Sequence, residues 1–377
     1  MNKIIGLLCL LTCVGIKASK AQTAFGDELN TVSTAVPFLM IAPDSRAGAM
    51  GDAGVASAPD PNSMHWNVAK IAFLEDNSSG IGFSYTPWLS RLASDINLAY
   101  LSFYNKSSDM QAFAVSLRYF ALGNITFTDE TGNTIGQFNP NEFAVDFGYG
   151  RKLAENFSMG MAFRYIRSDL TSGQVVGGLQ SKPGSSVAAD LGLYYQSEKF
   201  KIDQYDAYYS GGLNISNVGS KISYTESGEE NFIPTMMKFG NAVKFEFDKY
   251  NNLTFMLDVS KLLVPTPSLV DSINTDNIGV VDGIFQSFSD APGGAKEEFR
   301  EVMWSAGAEY WYNDQFAFRG GYFHEHETKG NRKYFTLGFG VKYSVFNLDF
   351  AYLVPANPAV RSPLENTLRF SLVFNFS

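Results

Sequence analysis

From Gly80 onward the chain alternates apolar with small or polar residues, one strand length after another, and this pattern narrows the possible folds more than any other feature. The last stretch shows it plainly. Leu368, Phe370, Leu372, Phe374 and Phe376 share one face of an extended chain, and Thr367, Arg369, Ser371 and Asn375 share the other, with Val373 as the exception. Phe143, Val145, Phe147 and Tyr149 against Ala144, Asp146, Gly148 and Gly150 repeat the pattern, as do Phe335, Leu337, Phe339, Val341 and Tyr343 against Thr336, Gly338, Gly340 and Lys342. A strand that is greasy on one side and polar on the other separates two solvents. A membrane barrel supplies both, with lipid outside and a polar lumen inside.

The spacing predicts strands near 80–88, 94–104, 110–120, 142–152, 157–168, 185–197, 206–216, 235–247, 252–261, 301–312, 315–325, 332–343, 346–353 and 365–376. Each is close to the roughly 9–11 residues that a tilted membrane strand needs. Tight turns at 105–109, 154–156, 248–251, 313–314 and 344–345 alternate with long connections at 121–141, 169–184, 217–234, 262–300 and 354–364. Short turns on one rim and long loops on the other characterise outer-membrane barrels. The expected fold is therefore all-β, a transmembrane antiparallel β-barrel of about fourteen strands over residues 80–377. Its short-turn rim and both termini are expected in the periplasm, with the long loops extracellular.

Residues 1–21 read as a secretory signal: Lys3 precedes an apolar run from Ile4 to Ile16, and Ser19-Lys20-Ala21 supplies small residues for cleavage. The run is shorter than the roughly 20 residues of a spanning helix. An acylated Cys13 is disfavoured because Thr12 precedes it. Both cysteines lie in this segment, so the mature chain is expected to have no disulfide or thiolate metal site. Loss of Lys3, Lys17 and Lys20 takes the formal charge from −9 to −12, which makes nucleic acid an unsuitable partner. Charged residues are 18% of the chain, fewer than in a typical soluble domain, and 32 Phe with 19 Tyr suit the aromatic girdles of a barrel in outer-membrane lipid.

Residues 22–79 lack the alternation. Gly48, Gly51 and Gly54 sit three apart around Met50 and Asp52, and Asp60-Pro61 reads as a helix start leading into Met64-His65-Trp66-Asn67. We expect short helical turns that plug or cap the barrel. His65 and Asp52 have no companion nucleophile or base, and His324 with His326 reads as a solvated strand end more readily than as two metal ligands. Gly-x-Gly pairs at 80/82, 148/150 and 338/340 lie within strands with no helix after them, so they read as relief of crowding rather than as phosphate loops. No catalytic set, metal set or cofactor site is legible. The longest connection, 262–300, keeps Leu262, Leu263, Val264, Ile284, Phe285 and Phe288; such apolar residues fold back over the barrel mouth as a lid, insert into the lumen, or form the candidate partner-binding surface.

Ser45-Arg46-Ala47-Gly48-Ala49-Met50-Gly51-Asp52-Ala53-Gly54-Val55-Ala56, then Asp60 and His65-Trp66-Asn67-Val68-Ala69-Lys70, resembles the N-terminal signature of the PorV (LptO) family. These are outer-membrane proteins of the type IX secretion system, related in fold to the fatty-acid transporter FadL, and sister barrels such as PorQ share the signature. Gly48, Gly51, Asp52, Trp66 and Asn67 carry it here. Val68 departs from it where the family commonly has proline. Phe370, Phe374 and Phe376 resemble the aromatic closing-strand signal of barrel proteins. The resemblance implies a non-enzymatic shuttle: it would bind the C-terminal signal domain of cargo leaving the SprA/Sov translocon and deliver it to the PorU sortase complex. The competing expectation is a FadL-like transporter of long-chain fatty acids or other hydrophobic molecules. FadL-type transporters open laterally at a kink in the third strand, and residues 110–120 hold neither Gly nor Pro.

Overall fold

Every strand in a bilayer must satisfy its backbone within the protein, and a closed ladder does this without leaving an edge. The computed structural model describes residues 29–376 apart from 91–92, 129–130, 172, 174, 177–178, 226–229, 268–276 and 358–363. The expected signal segment, with Cys9 and Cys13, lies outside the described residues. Fourteen wall strands follow in order: β1 (Ser78–Pro87), β2 (Ile96–Ser108), β3 (Gln111–Leu122), β4 (Asn141–Ala154), β5 (Phe157–Asp169), β6 (Gly184–Gln196), β7 (Tyr205–Gly219), β8 (Met236–Glu246), β9 (Asn251–Leu262), β10 (Met303–Tyr312), β11 (Phe316–His324), β12 (Lys333–Tyr343), β13 (Phe346–Pro355) and β14 (Leu368–Phe376). Each pairs antiparallel with its sequence neighbours, and β14 returns to β1 in the register Phe376↔Ser79, Phe374↔Ile81 and Phe370↔Tyr85.

The alternation becomes the two faces of the wall. On β3, Phe113, Val115, Leu117 and Tyr119 point outward and are exposed, whereas Ala112, Ala114, Ser116, Arg118 and Phe120 point inward and are buried. Short connections join the strands at one rim. Asn313 and Asp314 both take positive φ, as a two-residue hairpin turn requires, and the Asp248 carboxylate accepts from the Tyr250 and Asn251 N–H groups. The opposite rim carries the long connections. These contain structure that period-two reading does not reveal: a hairpin of Ile125–Thr128 with Thr134–Phe138, a smaller one of Val175–Val176 with Leu179–Gln180, and helices Val280–Gln286 and Ala295–Arg300. At the short-turn rim, Phe200–Ile202 extends β7.

The N-terminal segment threads the lumen from rim to rim. Asn30 N–H donates to Thr328 O, and Ala35 N–H to Phe232 O, both at the long-loop rim. At the far end the Lys106 ammonium at the close of β2 donates to Leu74 O, and β1 begins at Ser78. Between lie 3₁₀ turns at Pro37–Met40 and Val68–Phe73 and single helical turns at Ser45–Gly48 and Ser63–Trp66. The described ends lie at opposite rims, Asn30 at the long-loop rim and Phe376 at the short-turn rim, because the segment traverses the lumen before joining the wall; the two termini expected in the periplasm lie outside the described residues. One expectation needs correction. Asp60 does not cap a helix; its carboxylate accepts from the Asn62 N–H, and Asn62 holds the N-cap position of the next turn.

Inward glycines accept this segment. A Cβ at Gly148 would strike the Met64 thioether, at Gly150 the Ile71 side chain, and at Gly160 the Ala69 backbone. They relieve crowding, and what crowds them is the segment.

Candidate functional site

The lumen is closed by ion pairs between this segment and the wall. Arg46 makes a two-pronged contact with Glu309 on β10, at 2.9 Å from Nε and 2.8 Å from Nη2, and Nη1 reaches Asp60 at 3.0 Å. Glu309 also accepts from Arg319 on β11 at 2.7 Å, and Arg319 reaches Asp349 on β13 at 2.6 Å. A second network joins Arg164 on β5 to Asp146 and Asp190 on its neighbours. Charges buried in this way are tolerable because every one is paired. Lys70 instead donates to Gly54 O and Ser57 Oγ, and burial lowers its pKa to about 8. Burial, reinforced by Asp60, raises the Asp44 carboxyl to about 6 even though Trp66 Nε1–H donates to it at 2.6 Å. Burial, then the Arg118 charge, holds His65 well below its ordinary value, so its Nδ1 accepts from Arg118 Nη2 at 2.8 Å.

The signature residues anchor this packing. A Cβ at Gly48 would collide with the Arg369 guanidinium. Gly51 takes φ +68° and lies against the Tyr322 backbone, and Asp52, at φ +63°, accepts from Arg369 at 2.8 Å and from the Tyr334 hydroxyl at 2.6 Å. Trp66 is buried beneath the Lys238 ammonium, and Asn67 bridges Leu193 O on β6 and the Ala69 N–H. Nothing in these contacts offers chemistry. A cavity of about 440 Å³ opens at the short-turn rim between Tyr104, Trp311 and Lys342, and one of about 220 Å³ opens at the long-loop rim between Val32, Met303 and Arg332. Between them, beside Lys238 and Asp258, lies a cavity of only about 40 Å³. That is about a tenth of the volume of the cavity at the short-turn rim.

The longest connection contains both covered and open apolar residues. Leu263 and Val264 are buried and Leu262 is half-buried, so they do not offer the surface expected of them; the Leu263 N–H bonds Thr235 O, which folds this stretch onto the mouth. Ile284 is half-buried, whereas Phe285 and Phe288 are exposed. Two further open residues, Val281 and Phe299, escaped sequence reasoning, because helices of seven and six residues are too short to show a period. Phe370, Phe374 and Phe376 lie on the outward face of β14, away from this surface. His324 stacks on Trp304, while His326, beyond the end of β11, bonds Thr328; the two imidazoles do not share a strand. Among the described residues no group of His, Cys, Asp and Glu is placed to hold a metal.

Among solved structures, the Pseudomonas putida toluene transporter TodX is similar, with 11% identity, 92% of this chain and 98% of that one covered, and a TM-score of 0.52. The TodX deltaS2S3 mutant monoaromatic hydrocarbon channel gives 13% identity over 88% and 97%, with a TM-score of 0.50. A Pseudomonas aeruginosa FadL homologue gives 11% over 89% and 98%, with a TM-score of 0.44. At such identities the likeness is one of fold. No curated protein matches the chain. The family model of the type IX secretion system protein PorV matches residues 24–269, well over half of the sequence, and the chain belongs to that family.

Proposed function

We propose that this outer-membrane component of the type IX secretion system is a shuttle that binds the C-terminal signal domain of cargo leaving a SprA/Sov-type translocon and passes it to the PorU sortase complex. The role is non-enzymatic. In this reading the short-turn rim faces the periplasm, the long loops face outward, and residues 22–79 are a permanent plug. The observation that carries it is the packed lumen. A barrel whose lumen is filled by its N-terminal segment, with only a small cavity of about 40 Å³ between those at the two rims, is suited to work through its surface, and the long-loop face holds the open aromatic residues.

The transporter reading finds less support. β3 pairs with β4 without a break from Gln111 to Ala121, and with β2 from Leu122 to Phe113, so its backbone is continuous where a lateral exit would interrupt it. Mild detergent purification of the tagged protein from its native membranes, followed by mass spectrometry, tests the proposal. Recovery of a very large barrel protein together with secreted proteins that share a C-terminal domain is the expected result. Recovery of the barrel alone with bound lipid would overturn it.

A further inference from the structure

We propose that the outward face of β3, β4 and β5 seats one glycerophospholipid of the leaflet at the short-turn rim, an acyl chain lying in a wall groove and the phosphodiester on Arg151 and Gln111. The groove has a volume of about 420 Å³ and is lined by Gln111, Phe113, Phe147, Tyr149, Met161 and Phe163. Small-molecule pockets span roughly 300–1,000 Å³, so it is large enough to hold part of a lipid. Strand pairing sets its shape. Phe113, Tyr149 and Met161 lie side by side across the three strands, and Phe147 with Phe163 forms part of the next outward row, deeper in the wall. Phe113 and Phe163, on the strands flanking β4, are exposed, and Phe147 between them is 51% exposed.

The occupant follows from where the groove lies. These strands cross the outer membrane, and the six residues alternate with inward ones such as Ala112, Gly148 and Ala162, which are buried against the lumenal segment or the wall. Bilayer lipid is what meets the outward face of such a wall. Phe113 packs on Phe147 and Tyr149 with ring centroids 6.2 and 5.1 Å apart, so this side of the groove is a set of mutually supported rings. A surface ordered before the lipid arrives gives up little conformational entropy when an acyl chain settles on it.

Chemistry at the rim end selects the headgroup. On the outward faces of these three strands Arg151 is the charged residue in the half toward the short turns, and no carboxylate shares that half. Arg151 is exposed, lies opposite Gln111 and Met159, and forms no ion pair among the described residues. A cation on a lipid-facing strand is tolerated near the interface, where its long side chain reaches the headgroups. The Tyr149 hydroxyl donates to Gln111 Oε1 at 2.8 Å, which leaves the amide N–H groups of Gln111 to donate in turn. The rim end thus presents a guanidinium and an amide nitrogen. A phosphodiester answers both, because a guanidinium bonds two of its oxygens at once. A headgroup amine meets no carboxylate there, so phosphatidylglycerol suits the seat better than phosphatidylethanolamine.

The test is native mass spectrometry of the tagged full chain, delipidated by detergent exchange, shown folded by heat-modifiable gel migration and mixed with phosphatidylglycerol. Wild type is expected to keep a single lipid under activation that strips detergent and further lipids. Occupancy is expected to fall about fivefold in Arg151→Gln and at least about tenfold in Phe113→Ala/Phe163→Ala, all on the face away from the packed lumen. Phosphatidylethanolamine is expected to be held more weakly, and excess inorganic phosphate to leave the adduct in place. No retained lipid in wild type, or undiminished retention in both variants, would overturn the seat. Oleate held as firmly as phosphatidylglycerol and indifferent to Arg151→Gln would overturn the phospholipid assignment, as would displacement of the lipid by phosphate alone.

Discussion

Adding one methyl group at Gly51 meets two obstacles. The residue sits at φ +68°, and a Cβ would lie 2.6 Å from the Tyr322 N and O. Gly51→Ala is therefore expected to cost about 1–3 kcal/mol and to lower the thermal unfolding temperature measured by loss of compact gel migration. Asp44 makes a pH-dependent contribution. Its folded pKa of about 6 lies above its ordinary 3.8, so folding favours the protonated form. The stability it contributes is complete below about pH 4 and is lost as pH rises through about 6. Asp44→Asn is expected to flatten the fall in unfolding temperature between pH 4 and 6.5, by an amount on the order of 3 kcal/mol at most; a fall as steep as in wild type would refute the assignment. Neither effect is visible in sequence, because the partners of Gly51 and Asp44 come from distant strands and burial.

At the scale of elements, strands and loops differ in how well they could be read. Each wall strand divides two solvents, so its alternation survives whatever packs beside it, and fourteen were placed close to their observed bounds. In the longest connection the helix Ala295–Arg300 is anchored through Glu297, Glu298 and the following Glu301, which pair with Lys261 and Lys329, and Lys329 and Asn30 in that cluster are distant from the loop in sequence. Lys329→Met removes one cation from a buried set and leaves Glu297 and Glu301 short of a partner, at a local cost of about 3–5 kcal/mol. We expect a protease to cut within residues 263–302 at least tenfold faster in this variant while β1–β14 stay intact. Equal cleavage rates would show that the cluster does not hold the loop.

For the whole molecule, the lumenal segment determines whether the barrel conducts. The full chain is expected to be silent in planar bilayers. Deletion of residues 30–74 would uncover Arg118, Arg164 and Arg319 and open a polar pore through the wall. Comparable conductance with and without the segment would contradict a packed lumen. The interior of a barrel this wide needs filling, and the inward Gly148 and Gly150 that sequence reading assigned to crowding, with Gly160 that it did not single out, are places where the filling passes close.

The sequence by itself determined the wall: its strand number, the parity of its connections, its two faces, and the existence of an N-terminal segment that is not wall. These are local properties, written as a period of two against lipid. Only the tertiary structure decided the path of that segment from the long-loop rim to the short-turn rim, the pairing of Arg46 with Glu309 and Arg319, the burial of Leu263 and Val264, and the exposure of Val281 and Phe299. Those depend on which distant residues meet, and residues such as Asn30 and Thr328, or Arg46 and Glu309, are neighbours only in the closed barrel.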